Sequence, residues 1–354
     1  MSEHDTAPTP RAHRASHTAQ PLLSVQRLRK YFPVKAQTLG APRVMVQAVD
    51  GVSFAVERGE TLGIVGESGC GKSTTARLLM HLIEPDAGEI RLDGKMLGAA
   101  GFTVRELRRQ MQMVFQDSYA SLNPRLDVQD SIAFGPQAHG VPANAARAKA
   151  RELLALVKLD PDQFARRYPH ELSGGQRQRV NFARALALDP RLVILDEAVS
   201  ALDKSIEAQV LNLLMDLKKN LQLTYVFISH DLSVVQYVSD HVLVMYLGKV
   251  VELGPVGEVY RRPRHPYTQA LLASRLSGNP DLHIEHPPLV GDPPNPINPP
   301  SGCRFRTRCA YAEAACERIE PLLTAQDSTP GHSAACHMVI PGAGHSKAPA
   351  AIEV

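Results

Sequence analysis

The stretch Gly66-Glu67-Ser68-Gly69-Cys70-Gly71-Lys72-Ser73-Thr74 fits the pattern G-x-x-x-x-G-K-[ST] of a phosphate-binding loop. Glycines at this spacing let backbone N–H groups wrap a polyphosphate, while Lys72 reaches the β- and γ-phosphates and the Ser73 hydroxyl remains for Mg²⁺. Residues 61–65 are a short apolar run typical of a buried strand, and residues 74–80 have helical composition. The sequence therefore predicts a strand–loop–helix nucleotide site.

Two later strand ends carry polar groups that suit the same site. The apolar run 192–195 ends in Asp196 and Glu197. Asp196 is suited to hold Mg²⁺, and Glu197 to polarise an attacking water as a general base. The run 224–229 is followed by His230, which we expect near the γ-phosphate.

Length, composition and net charge restrict the classes of protein to which the chain can belong. The 354 residues, 44% of them hydrophobic, allow one large domain and a smaller one. No run approaches the 18 or so apolar residues of a bilayer crossing, and the first twenty residues lack a signal-peptide core, so we expect a cytoplasmic protein. A net charge of +3 argues against nucleic acid as the main partner. Residues 1–20 and 341–354, rich in Ala, Pro, His and Gly, are expected to be disordered tails.

The order of several short motifs makes the chain resemble the nucleotide-binding subunit of an ATP-binding-cassette (ABC) transporter. These motifs are GESGCGKST at 66–74, Gln116 after an apolar run, LSGGQ at 172–176, LVILDE at 192–197, SALD at 200–203 and SHD at 229–231. The resemblance covers roughly residues 22–340. It implies an α/β P-loop NTPase fold over 21–262, with a mostly parallel sheet wrapped by helices, an antiparallel β-subdomain and a helical subdomain around 120–185. Residues 263–340 would form a small C-terminal extension.

The resemblance also implies ATP and Mg²⁺ as ligands and a role for each motif. Gln116 would join Mg²⁺ and the attacking water to the membrane subunit, and His230 would clamp the γ-phosphate. Ser73, Gln116 and Asp196 would form the Mg²⁺ site. Phe32, with Tyr31 as the alternative, would stack on adenine. The remaining nucleotide contacts would come from Gly66, Ser68, Gly69, Cys70, Gly71, Lys72, Thr74, Ser173, Gly174, Gly175, Gln176 and Asp203.

The signature segment, Leu172-Ser173-Gly174-Gly175-Gln176, contains no obvious catalyst. Two glycines before a helical stretch make a second anion-binding helix N-terminus. In the family this segment closes over the nucleotide held by another subunit, so that ATP joins a head-to-tail dimer, with Asp203 in a loop between the two sites. The chain is therefore expected to need a second ATPase subunit.

Residues 117–125, the Ala198-Val199 pair and a C-terminal extension that begins near His265-Pro266-Tyr267-Thr268 are similar to the F-type ATPase of bacterial dipeptide/oligopeptide importers. This similarity implies two membrane permeases, an extracytoplasmic peptide-binding protein and a peripheral position on the cytoplasmic face of the inner membrane, with membrane contact only through the permeases. Importers of nickel, glutathione or opines remain alternatives, as does a soluble non-transport cassette ATPase. Exporters are disfavoured because their cassettes are commonly fused to membrane helices.

The extension holds four cysteines, Cys303, Cys309, Cys316 and Cys336, separated by five, six and nineteen residues. Clustered cysteines in a cytosolic protein indicate metal ligands more often than disulfides. The pattern resembles that of importer ATPases whose extension binds a [4Fe–4S] cluster. Zinc, with His332 or His337 as a substitute ligand, and unligated packed thiols remain alternatives.

Overall fold

The computed structural model of the chain describes residues 20–34, 44–99, 101–274, 291–326 and 329–350. The strands are β1 Leu23–Pro33, β2 Met45–Val56, β3 Thr61–Val65, β4 Ala87–Leu92, β5 Lys95–Met96, β6 Met111–Val114, β7 Leu192–Asp196, β8 Thr224–Ile228, β9 His241–Tyr246, β10 Lys249–Pro255, β11 Thr324–Gln326 and β12 Thr329–Ala334. The α-helices are α1 Lys72–Leu79, α2 Val104–Gln110, α3 Val128–Ala138, α4 Ala143–Leu156, α5 Pro161–Phe164, α6 Gly174–Leu186, α7 Lys204–Leu221, α8 Leu232–Val238, α9 Val256–Arg261, α10 Pro266–Ala273 and α11 Ala314–Arg318.

The larger sheet has eight strands in the order β11-β12-β10-β9-β3-β8-β7-β6. Its centre is parallel, since β3 pairs with β8 and β9, and β7 pairs with β6 and β8. Every residue of β3, β7 and β8 is buried, as expected for central strands covered by helices on both faces. The carboxyl ends of β3, β6, β7 and β8 therefore meet at one edge, where open α/β sheets bind ligands.

A second, antiparallel sheet has the order β2-β1-β4-β5. Its inner residues, including Leu23, Leu28 and Val49, belong to the same hydrophobic core as α1 and part of the main sheet. This sheet is the antiparallel β-subdomain that the resemblance implied.

The helical subdomain consists of α3 to α6 and of a 3-10 turn at Pro169–Glu171. Its core includes Ile132, Ala150, Leu154 and Phe182, which are at most 2% exposed. It carries the signature segment at the start of α6. Among the described residues, no helix combines the length and the apolarity that a bilayer crossing needs.

The extension is joined to the ATP-binding domain by shared strands. β12 pairs with β10, so the main sheet contains residues from both sides of the boundary expected at 262/263. The His332 ring also contacts the Glu252 carboxylate at 2.7 Å, and both side chains are fully buried.

Residues 341–350 of the tail that the composition predicted to be disordered form turns. The His345 ring contacts the backbone oxygen of Tyr311 at 2.8 Å, and the Ser346 amide donates to Glu313. A Pro- and Gly-rich composition favours turns, which such side-chain contacts can hold in place. Residues 1–19 and 351–354 of the predicted tails lie outside the described residues.

Candidate functional site

The phosphate loop follows β3 and leads into α1, as its sequence predicted. Gly66, Gly69 and Gly71 have φ values of 148°, 77° and 110°, in the region that favours glycine. Side chains on Gly66 and Gly71 would also collide with the backbone oxygens of Met245 and Ala48. The glycines are therefore required both by the turn and by the close approach of β9 and β2.

Lys72 and Cys70 point into the folded loop. The Lys72 ammonium donates to the backbone oxygens of Gly66 at 2.7 Å and Glu67 at 3.0 Å, and its side chain is buried. Burial raises the pKa of the Cys70 thiol, which is 3% exposed. Ser68 and Gly69 are exposed at the loop tip, and Thr74 is half-buried on α1. Cys70 thus packs beneath the loop and presents only its backbone to a nucleotide.

Of the three residues predicted for the Mg²⁺ site, Ser73 and Asp196 are in direct contact, whereas the Gln116 side chain contacts Glu197. The Ser73 hydroxyl donates to Asp196 Oδ1 at 3.0 Å, although 123 residues separate them. Burial raises the pKa of the Asp196 carboxyl, and the Ser73 hydrogen bond, Arg77 and Lys72 oppose this shift. A hydroxyl and a buried carboxylate form the oxygen-rich, partly desolvated donor set that suits Mg²⁺. The residues present therefore fit the ion that the motif implies.

Glu197 is the centre of a second cluster. Its φ of 48° is in the left-handed region that non-glycine residues rarely adopt, a type of strain that concentrates at functional sites. Its carboxylate accepts a 2.8 Å hydrogen bond from Gln116 Nε2 and lies 3.4 Å from His230 Nδ1. Gln116 follows β6, Glu197 follows β7 and His230 follows β8, so the parallel sheet brings the three together.

The signature segment caps α6 with reciprocal hydrogen bonds. The Ser173 hydroxyl accepts from the Gln176 amide at 3.4 Å, and the Gln176 side chain accepts from the Ser173 amide at 2.9 Å. Gly174 lies near Leu202, and a side chain on Gly175 would meet Ile206 at 2.6 Å. The glycines therefore allow close packing against the start of α7 and leave the helix N-terminus partly exposed.

Two further predicted residues are not joined to this cluster by any described side-chain hydrogen bond. Asp203 is exposed at the N-terminus of α7 and makes no side-chain capping bond. Phe32 is half-buried on β1, with Lys30 Nζ 5.7 Å from its ring centre. The hydroxyl of Tyr31 donates to Asp50 at 2.7 Å, and alternation along the strand directs Phe32 to the other face.

The structure adds residues that the sequence did not assign to the ATP site. Arg308 of the extension pairs with the carboxylate of Glu67 in the phosphate loop, and the Tyr267 hydroxyl accepts from the Glu67 amide. No periodicity links positions about 200 residues apart. The only sequence signal was the carboxylate itself, since an acid inside an anion-binding loop calls for a cation nearby.

The four cysteines of the extension line one cavity of about 10 Å³, together with His337. Burial raises the pKa of the Cys303 thiol to about 11 and of the Cys336 thiol to about 12. Both His337 ring nitrogens lack a hydrogen-bond partner within the described residues. The donor types suit a soft metal or a cluster, but the cavity has room for only about one water. No group of three or more His, Cys, Asp or Glu in the described parts of the chain is arranged to hold a metal ion, so the expected cluster is not supported.

His332, the other substitute ligand considered for zinc, is engaged elsewhere. Its ring contacts Glu252 rather than the cysteine cavity. Of the two histidines, only His337 lies with the thiols.

Comparisons with known proteins agree with this geometry. A family described as "ABC transporter" matches residues 49–200, and one described as "Oligopeptide/dipeptide transporter, C-terminal region" matches residues 251–316. The chain is 48% identical to a putative peptide import ATP-binding protein of Brucella ovis, over 90% of this chain and 98% of that protein. It is also 48% identical to the oligopeptide transport ATP-binding protein AppF of Bacillus subtilis, over 90% and 97%.

A solved structure shares the fold. It is cbiO1 from Clostridium perfringens, part of the ABC transporter complex cbiONQ. The match has a TM-score of 0.58 and 27% identity, and it covers 68% of this chain and 91% of the other. Motifs, fold, site geometry and relatives agree, and the chain belongs to the ABC transporter family as an ATP-binding protein with the C-terminal region of oligopeptide/dipeptide transporters.

Proposed function

We propose that this chain is the ATP-hydrolysing subunit of an importer of dipeptides or oligopeptides. The observation that carries the proposal is the convergence of Ser73 with Asp196, and of Gln116 and His230 with Glu197, at the ends of neighbouring parallel strands. The peptide assignment is supported by relatives named as peptide import and oligopeptide transport ATP-binding proteins.

Each side chain has a distinct task in this proposal. The phosphate loop and Lys72 bind the triphosphate, and Ser73 and Asp196 hold Mg²⁺, which neutralises phosphate charge when bound. Glu197 accepts the proton of the attacking water as general base. Gln116 and His230, already in contact with that carboxylate, orient it and the γ-phosphate. Phe32 stacks on the adenine.

The signature segment and Asp203 are assigned to a second subunit's nucleotide. The partly exposed N-terminus of α6 offers amide donors that this chain's own site does not use, which supports a head-to-tail dimer with a second ATPase. Two permeases and an extracytoplasmic peptide-binding protein complete the importer. The chain then lies on the cytoplasmic face of the inner membrane, attached through the permeases.

The test is reconstitution of the whole importer in lipid vesicles with its binding protein. A defined tripeptide should stimulate ATP hydrolysis and enter the vesicles, and Lys72→Met should abolish both, because this variant loses the phosphate-binding cation. Nickel, glutathione and an opine are tested in parallel. Stimulation by one of these solutes but not by peptides would refute the peptide assignment, and wild-type complex without ATPase activity would refute the proposal.

An iron–sulfur cluster in the extension is a separate proposal that rests on the family resemblance and on four thiols that line one cavity, which would have to widen to hold the cluster. Protein purified without oxygen would then be brown and contain iron and acid-labile sulfide, and Cys309→Ser would remove both. The Cys70→Ser variant is the control, because Cys70 lies under the phosphate loop. Stoichiometric zinc would indicate a zinc site, and absence of both metals would indicate packed thiols.

A further inference from the structure

Glu67, the second residue of the phosphate loop, has all three of its polar groups engaged. Its carboxylate accepts two parallel hydrogen bonds from Arg308, at 2.7 and 3.0 Å. Its amide donates to the Tyr267 hydroxyl at 2.9 Å, and its backbone oxygen accepts from Lys72 at 3.0 Å. Two of these three partners belong to the C-terminal extension, so the extension fixes both the side chain and the backbone of this loop residue.

The pair of Glu67 and Arg308 is well protected from water. The Arg308 side chain is 6% exposed and that of Glu67 is 23% exposed. A bidentate arginine–carboxylate pair restricts orientation as well as distance. An unpaired carboxylate in this loop would instead repel the phosphates of an incoming nucleotide. Arg308 therefore neutralises the Glu67 charge, which would oppose nucleotide binding, and fixes the orientation of the Glu67 side chain.

Arg308 and Tyr267 are themselves held by aromatic packing. The rings of Tyr246, Tyr267 and Phe305 pack with centroids 4.6 to 5.4 Å apart. The Arg308 guanidinium lies 5.9 Å from the Tyr246 ring, and its Nη1 lies 3.4 Å from the Tyr246 hydroxyl. These contacts restrict the rotamers of both residues, so that the hold on Glu67 is rigid.

The same segment of the extension has a second attachment to the ATP-binding domain. Arg304 is 8% exposed and contacts the Asp50 carboxylate and the backbone oxygen of Leu247. The turn between β9 and β10 is in turn joined to the loop, because the Gly248 amide donates to the backbone oxygen of Cys70 at 2.9 Å. The segment is therefore connected to the phosphate loop at Glu67 directly and at Cys70 through the turn between β9 and β10.

We propose that Arg308 and Tyr267 are positioning residues of the ATP site, which hold Glu67 so that the phosphate loop keeps the shape that binds a triphosphate. The extension then strengthens nucleotide binding. This inference rests on the proposed ATPase function and adds residues from outside the known motifs to its site.

The first test measures the binding of Mg-AMP-PNP to the full-length chain by calorimetry. Arg308→Met keeps the side-chain stem and leaves the Glu67 carboxylate unpaired, so its Kd should rise about tenfold. Arg306→Met is the matched control, since Arg306 lies two residues away and contacts Ser301 instead; its Kd should be that of the wild type. Equal Kd values for the two variants would overturn the proposal.

A double variant separates loop positioning from simple charge cancellation. In Glu67→Gln/Arg308→Met the unpaired carboxylate is gone but the loop still lacks its hold, so Kd should stay several-fold above that of the wild type. A Kd equal to that of the wild type would show that Arg308 only cancels a charge and would overturn the proposal. Should Arg308→Met not fold, Tyr267→Phe loses only the hydroxyl that accepts from Glu67 and should weaken binding by about threefold. A Kd of Tyr267→Phe equal to that of the wild type would also overturn the proposal.

Steady-state kinetics of the reconstituted importer provide the second readout. Arg308→Met should raise the KM for ATP by a similar factor with little change in kcat. A purely structural role would lower kcat through loss of folded protein and leave KM unchanged. Failure of the wild type to bind Mg-AMP-PNP would refute the proposed function itself, whereas wild-type affinity in Arg308→Met would refute only this inference.

Discussion

At the scale of single residues, the site combines strain with buried charge. Glu197 holds a left-handed backbone conformation, and its carboxylate is already in contact with Gln116 and His230. Asp196, the preceding residue, is a buried carboxylate whose pKa is raised by desolvation. Both features cost folding stability in the empty protein and are suited to a ligand that brings compensating charge.

Glu197→Gln should abolish ATP hydrolysis in the assembled importer and leave ATP binding intact. The amide keeps the shape and one hydrogen-bond acceptor but cannot take a proton from water. Turnover of radiolabelled ATP and binding of Mg-ATP are measured on the same samples. Hydrolysis at the wild-type rate would show that Glu197 is not the general base.

Asp196→Asn should raise the unfolding temperature of the empty chain by roughly 2 °C. The pKa of Asp196 is raised in the folded protein, so the protonated carboxyl contributes to stability. That contribution is lost as the pH rises through this pKa, and ionised Asp196 therefore lowers the stability of the fold at neutral pH. Asparagine removes the charge and still accepts from Ser73. The difference in unfolding temperature between Asp196→Asn and the wild type should shrink as the pH is lowered towards the pKa of Asp196. Calorimetry of both proteins from pH 7 to pH 5 measures this difference.

The same variant should lose its response to Mg²⁺. Added Mg-ATP should raise the unfolding temperature of the wild type much more than that of Asp196→Asn, because the variant lacks the ionised ligand. Equal shifts would place Mg²⁺ elsewhere.

At the scale of elements, a buried contact between Glu252 and His332 lies at the junction of β10 and β12. The Glu252 carboxylate contacts the His332 ring and accepts from the amides of Arg264 and His265, at 2.7 to 3.0 Å. It thereby joins the end of the ATP-binding domain, the start of α10 and β12. Burial also lowers the pKa of the adjacent His265 to about 4, so that ring is neutral at physiological pH.

Glu252→Ala should lower the free energy of unfolding by about 3 kcal/mol, because it leaves two amides and a buried ring without their acceptor. Glu317→Ala is the control, since that side chain is 65% exposed, and it should have almost no effect. Urea unfolding monitored by circular dichroism measures both. A loss below about 1 kcal/mol in Glu252→Ala would show that the pair does not stabilise the junction.

The elements that the sequence predicted well are those with a strong local signal. The strands β3, β7 and β8 are continuous apolar runs bounded by polar residues, and the structure reproduces them to within a residue at each end. The proximity of Ser73 to Asp196, and of Gln116 and His230 to Glu197, could be predicted because each residue lies at or just after a strand end or at a helix start in a known motif order. The contacts of Arg308 and Tyr267 with Glu67 could not, because they depend on how two distant segments pack.

The four cysteines of the extension show again that sequence alone does not predict how side chains pack. The four cysteines that were predicted as one ligand set all line one cavity. The size of that cavity depends on side-chain packing around Phe305 and His337, which spacing does not describe. The predicted cluster is therefore not supported by the structure, although the residues that would bind it lie together.

At the scale of the whole molecule, the chain presents two surfaces to which we assign phosphate binding. One is the phosphate loop at the end of β3, and the other is the N-terminus of α6 with its signature segment. The signature glycines pack against the start of α7, whereas the loop packs against β2, β9 and the extension. The two surfaces belong to different subdomains, which suits a site completed by a second subunit.

The isolated chain should bind Mg-ATP but hydrolyse it slowly, and addition of the second ATPase and the permeases should raise the rate. The reason is that each missing transition-state donor costs about 100-fold or more in rate. Light scattering establishes the oligomeric state during the assay. Full activity from a strictly monomeric sample would show that one chain contains a complete site.

The pairing of β12 with β10 has a consequence for biosynthesis. Glu252 and its partner His332 are 80 residues apart, so a ribosome that adds 5–20 residues per second makes the second about 4 to 16 s after the first. During that interval the nascent ATP-binding domain has an open edge at β10, and for the first part of it Arg308, the partner of Glu67, has not been made either. The order of synthesis thus delays a finished nucleotide site until the extension has been made, and it gives chaperones an exposed strand edge to protect.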